Sequence, residues 1–167
     1  MKIKLAFALI ALLGILFFAC KKDASTSTLQ IKMTDAPTAL EEVNIDLMQV
    51  NVKFADDTSG WVSLETTKGV YNLLSLQNGV STLIAQGTFP SNVVKEIRLV
   101  LGDRNSIKSD GQIYPLTIPS GSESGLKIKV DKKLNANLET LLIDFDAALS
   151  VKQEQSGYKL RPVIRIK

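Results

Sequence analysis

The chain is expected to fold as an all-β antiparallel β-sandwich, immunoglobulin-like or prealbumin-like, with at most short helical pieces. Three observations predict this. Apolar residues recur at every second position along most of the chain, the period of a half-buried strand. Clusters of Gly, Asp and Ser interrupt these runs at the spacing of turns between short strands. Helical patterning is confined to short stretches near Leu76–Gln86 and Leu134–Thr140. Alternation with one wet face also favours antiparallel pairing over a parallel sheet buried on both sides.

Residues 1–19 stand apart from that domain. Lys2 and Lys4 precede an apolar run from Leu5 to Ala19, relieved only by Gly14. The run is shorter than the ~20 residues of a spanning helix, and it ends in a small residue, the layout of a secretory signal. Cys20 follows directly and is the only cysteine, so no intramolecular disulfide can form. Residues 20–28 are polar and read as a tether. Residues 29–167 then supply about 140 residues, enough for one domain with a sizeable core. Two of the 20 Lys and Arg residues lie in the leader, and the rest nearly balance the 17 acids. That balance gives no electrostatic case for nucleic acid.

Within the domain, Val43, Ile45 and Leu47 lie in one phase and Val50, Val52 and Phe54 in the other. A β-bulge near Met48-Gln49 reconciles them. Ile97, Leu99 and Leu101 alternate with Arg98, and Leu126, Ile128 and Val130 alternate with Lys127, Lys129 and Asp131. Asp110-Gly111 reads as a two-residue hairpin turn, because both residues tolerate positive φ. Ser120–Gly125 reads as a flexible loop. From Leu141, Ile143, Phe145, Ala147, Leu149 and Val151 keep one apolar face, and Ile164 and Ile166 form a last strand.

The chemistry on offer is narrow. There is no histidine, which removes the commonest general base and nitrogen ligand. Outside Cys20 no thiolate is available for catalysis or zinc. Gly121–Gly125 has Glu123 where a nucleophile elbow needs Ser. Ser124 and Lys127 have nucleophile–lysine spacing, but the chain enters a strand there rather than a helix. Asp144 and Asp146 are the remaining carboxylate pair, about 7 Å apart on one strand face at ~3.3 Å per residue. Such a pair suits glycoside hydrolysis or a shared calcium ion, and equally a wet sheet face opposite Lys or Arg. Asp35, Asp56 and Asp57 lack EF-hand spacing. Trp61, following a turn, is expected in the core, with a sugar-stacking platform as the alternative.

Phe17-Phe18-Ala19-Cys20 resembles the lipobox of bacterial lipoproteins, with Phe17 where those boxes usually carry Leu. The resemblance implies lipidation of Cys20. Cys20-Lys21-Lys22-Asp23 is similar to the charged export signal of surface-exposed Bacteroidetes lipoproteins. Met33-Thr34-Asp35-Ala36-Pro37 resembles the opening of the domain of unknown function 4382 family. Glu96–Leu99, Pro119–Lys127, Leu142–Ala147 with Ser150-Val151, and Tyr158–Arg165 follow in the order of that family's segments. Members are typically lipoproteins or secreted sandwiches with no established activity.

These readings predict a charge ladder of Asp144, Asp146, Arg98 and Arg161, and a last strand whose Arg161, Pro162, Arg165 and Lys167 guard a sheet edge. They predict no catalytic residue, metal or cofactor. The expected protein is an outer-membrane lipoprotein, periplasmic or surface-exposed, acting as a non-enzymatic binding or assembly module for a glycan or envelope protein. The alternatives are a small hydrolase using Asp144 and Asp146, calcium-dependent or not, and a pilin-like structural subunit.

Overall fold

Alternating apolar residues of distant segments meet in two sheets that share one core. The computed structural model describes residues 26–167 except 56–59, 91–92, 120–124, 136 and 156. Cys20, Asp56 and Asp57, and the loop bearing Glu123 and Ser124, lie outside the described residues. The first sheet has five strands, built on β1 (Thr26–Thr34) between β6 (Thr82–Pro90) and β11 (Asn137–Phe145). Its edges are β4 (Glu65–Thr66) beside β6 and β14 (Ile164–Ile166) beside β11.

The second sheet is centred on β2 (Glu42–Phe54). One edge of β2 pairs with β7 (Val93–Leu101) and then with β8 (Ser106–Ser109); β3 (Val62–Ser63) and β5 (Gly69–Asn72) also pair with it. Outside β7 lies β10 (Leu126–Lys133), and outside β8 lie in turn β9 (Gln112–Thr117), β13 (Gly157–Leu160) and β12 (Val151–Glu154). Leu29, Ile31, Ile143 and Phe145 of the first sheet are fully buried, as are Val50, Val52, Ile97 and Leu99 of the second, in one cluster. Each such side chain contributes about 1.5–3 kcal/mol of transfer free energy.

The local signals are realised where backbone chemistry decides. The register of β2 against β7 shifts between Leu47 and Gln49, so the six apolar residues flanking this bulge are all buried while Met48 is exposed. Asp110 and Gly111 have φ of 51° and 76° and close the β8–β9 hairpin.

Four expectations are corrected. The sandwich is mixed rather than purely antiparallel, since β1 runs parallel to β11 and β13 parallel to β9; alternation reports which face is buried, not strand direction. The first strand begins earlier than expected, because Thr26–Thr28, read as tether, are already in β1. Polar as they are, Ser27 and Thr28 pair on both sides, Ser27 with Asn137 and with Phe89. Neither expected helix forms: Leu76–Gln86 holds only the last residue of a 3₁₀ turn (Leu73–Leu76) and then enters β6 at Thr82, and Leu134–Thr140 enters β11 at Asn137. Conversely, the strand expected through Leu141–Val151 breaks after Phe145 into a one-turn helix, α1 (Ala147–Ser150), which leaves Leu149 exposed.

Connectivity defines two poles. Thr26 pairs with Pro90, Ser27 with Asn137, and Lys133 with Val93, so these residues share one pole with the N-terminus of the domain. Thr34-Asp35, Gly102–Asn105 and Asp146 lie toward the other. Among the described residues no helix is long and apolar enough to cross a membrane.

Candidate functional site

At the pole away from Thr26, three buried aspartates organise the backbone. Asp144, on β11, is fully buried. Its Oδ2 accepts from Arg165 Nε at 2.9 Å and lies 3.3 Å from Lys167 Nζ, because β14 pairs Arg165 directly with Asp144. Its Oδ1 is buried and has no hydrogen-bond partner among the described residues. Asp146 caps α1 by accepting from Leu149 N–H at 3.0 Å, and its other oxygen takes Arg165 Nη2 at 3.3 Å. The two carboxylates thus share one guanidinium. The expected ladder is corrected accordingly: the partners are Arg165 and Lys167, while Arg98 stacks on Trp61 and Arg161 pairs with Glu154. The last strand does lie at a sheet edge, and two of its cations turn inward to Asp144.

Asp35 completes the group. Its Oδ1 accepts from Ala147 N–H at 2.9 Å and its Oδ2 from Gln77 Nε2 at 3.0 Å. One carboxylate therefore ties the β1 terminus to α1, 112 residues away in sequence. Burial pushes the Asp35 carboxyl above its ordinary value, helped by nearby Asp146 and opposed by these hydrogen bonds. Asp35→Ala leaves the Ala147 N–H unsatisfied and is expected to cost about 1–3 kcal/mol in urea unfolding. Asp35→Asn keeps an acceptor and is expected to cost less. A raised folded pKa contributes stability below the unfolded value that is lost as pH rises through the folded one. Asp35→Asn should therefore gain on the wild type as pH rises through that raised value. A pH-independent difference between the two would contradict this.

Among the described residues no group of three or more carboxylate or thiolate side chains is placed to hold a metal ion. Asp144 and Asp146 are not a free acid–base pair either, since both are engaged by Arg165.

A groove of about 420 Å³ opens at the seam where β7 gives way to β8. Both strands follow the same edge of β2, but residues 102–105 leave it, and the outer strands β9 and β10 diverge around the gap. Leu101, Leu116, Ile118 and Leu126 make most of its apolar wall, with Asp103, Asn105 and Thr117 at polar points. The excursion is pinned from below. Asn105 Oδ1 accepts from Asp46 N–H at 2.9 Å, and its Nδ2 donates to Gly102 O at 2.7 Å. Buried Asp46 takes a bidentate fork from Arg104, Nε to Oδ2 at 3.0 Å and Nη2 to Oδ1 at 2.8 Å. That fork holds the Asp46 carboxyl below its ordinary value against the opposing effect of burial. Gly102 is required by close approach, since a Cβ there would lie 2.3 Å from Asp46 Oδ2.

Trp61 is half-buried rather than in the core, with the Arg98 guanidinium 4.5 Å from its ring centroid on the outer face of the second sheet. The groove and the Asp46–Arg104 fork carry no sequence motif. The only hint was the Gly102-Asp103-Arg104-Asn105 break after an apolar strand.

A mixed β-sandwich with ion-paired aspartates at one pole, a groove at a strand seam and a cationic aromatic face defines the class structurally. Over residues 26–162 the chain matches the family described as Domain of unknown function (DUF4382), and it belongs to that family. Neither the curated proteins nor the solved structures contain a match.

Proposed function

We propose that this protein is a lipid-anchored, outer-membrane lipoprotein that works as a non-enzymatic binding module for a glycan or envelope-protein partner. The observation that carries this reading is the position of Thr26. Cys20 directly follows the leader, and β1 begins six residues later at the pole opposite the groove. Six residues reach about 20 Å at ~3.3–3.6 Å each, so an acylated Cys20 holds that pole close to the bilayer. The nine residues of β1 add about 30 Å at ~3.3 Å each, which carries the groove outward. Several acyl chains on one residue support firm attachment, because a single chain binds only marginally. The engagement of Asp144 and Asp146 by Arg165 favours binding over carboxylate hydrolysis.

Protease treatment of intact cells carrying a C-terminally tagged copy tests this reading. Digestion in intact cells, or protection until the outer membrane is opened, distinguishes the surface from the periplasmic face. In either case Cys20→Ala is expected to release the protein from the membrane fraction. A Cys20→Ala chain that fractionates like the wild type would overturn the reading.

A further inference from the structure

We propose that the outer face of the second sheet, around Trp61 and Arg98, binds an acidic glycan whose carboxylates are taken by Arg98 and its flanking lysines. The assignment rests on the reading of the chain as a binding module and names the ligand class. Because Val50, Val52, Ile97, Leu99 and Ile128 face the core, the residues between them face outward. Strand register sets these in rows: Lys127, Arg98 and Asn51 in one, Lys129, Glu96 and Lys53 in the next. The rows lie about 7 Å apart at ~3.3 Å per residue. Four cations thus surround one acid among the described residues of these rows, and Lys127 stands directly opposite Arg98. Like charges placed so are unfavourable within the protein alone and complementary to a polyanion.

Arg98 differs from every other arginine of the chain. Arg104, Arg161 and Arg165 each pair with a carboxylate; among the described residues Arg98 has none, and its Nε is buried without a partner. Its side chain is nevertheless fixed. The guanidinium lies over the Trp61 ring, and the backbone at Gly125 presses on its stem. A Cβ there would stand 2.8 Å from Arg98 Cγ and 2.9 Å from Leu99 O, at a φ of +91°. A positioned, planar fork with no anion beside it among the described residues matches a carboxylate in two hydrogen bonds. The half-buried indole beside it offers an apolar surface to a sugar ring. Single-stranded nucleic acid is the less suited polyanion, because its bases stack on several successive aromatics, and among the described residues Trp61 is the one aromatic ring under Arg98.

The test uses the full chain extracted from membranes in neutral detergent, with immobilised polygalacturonate as probe and dextran, single-stranded DNA and phosphatidylglycerol vesicles as comparisons. Binding to polygalacturonate alone is expected, weakened by raised salt. It should fall at least ~10-fold, or about 1.4 kcal/mol, in Arg98→Gln and Trp61→Ala, and Arg98→Lys should not restore it, because the fork is lost with the charge kept. A Lys127→Gln/Lys129→Gln chain, altered only at exposed side chains, should also bind more weakly. No binding, equal binding to dextran, binding to DNA or vesicles as tight as to polygalacturonate, or unchanged binding in the lysine double variant would each overturn the assignment. If extraction still depends on Cys20, such a result leaves the anchored reading standing; if it does not, that reading fails separately.

Discussion

Phe145→Ala is expected to lose about 3–5 kcal/mol of unfolding free energy, the largest effect of any single substitution considered for this protein. Phe145 is among the largest fully buried side chains, and it lies where β11 ends between the two sheets. Truncation removes its transfer free energy and leaves a cavity that neighbours on paired strands cannot fill. The loss should extend to the aspartate pole. Phe145 pairs with Ile164 of the three-residue edge strand β14, which carries Arg165 to Asp144. Equilibrium urea unfolding measures the effect. A loss under about 1 kcal/mol, the level of a surface change, would mean that this part of the core does not hold the sheets together.

Arg104→Met is expected to destabilise the fold at neutral pH and to weaken the pH dependence that Asp46 contributes. Removing one member of a buried pair strands the other charge, at about 3–5 kcal/mol for full burial. The cost here is smaller because the Arg104 side chain is 66% exposed and water reaches its side of the pair, although Asp46 is only 2% exposed. In the wild type the Asp46 carboxyl is held below its ordinary value. Its contribution is therefore present above the unfolded value and lost as pH falls through the lowered folded one. Without the guanidinium, burial of Asp46 is opposed only by the backbone N–H of residue 104, so its pKa rises relative to the wild type. The variant should then recover stability relative to the wild type on acidification. Parallel stability–pH curves for the two proteins would be inconsistent with the fork as described. The groove should also widen or collapse in the variant, because Asp46 and Asn105 together hold the excursion at residues 102–105.

Much of this fold was legible in the sequence, and the limits are specific. The β2 bulge was visible because a phase change between Leu47 and Val50 cannot be buried on a regular strand. The β8–β9 hairpin was visible because Asp110-Gly111 suits positive φ at both positions. Strand direction was not, since period-2 alternation is the same for parallel β11 and antiparallel β6 on either side of β1. The turn of helix at Ala147–Ser150 was hidden because its apolar residues continue the spacing of a strand. Only the capping potential of Asp146 marked the break.

The site was legible in part. Asp144 and Asp146 stand out in the sequence as a carboxylate pair, but the arginine that joins them depends on the register of β14, which residue types do not reveal. Arg165 and Arg161 are equivalent in composition, yet only Arg165 stands opposite Asp144. The groove arises from two strands sharing one edge of β2, a tertiary arrangement with no local signature. The half-buried place of Trp61 against Arg98 depends on the pairing of β3 with β2, which residue types do not reveal.

The most direct test of the anchored reading is the intact mass of the protein isolated from its native membranes. The account predicts a chain that begins at Cys20 and carries a glyceryl group with its acyl chains, its mass shifting when Cys20→Ala is introduced. A chain that retains residues 1–19, or begins elsewhere with an unmodified Cys20 thiol, would contradict the lipid anchor and with it the orientation that turns the groove away from the membrane.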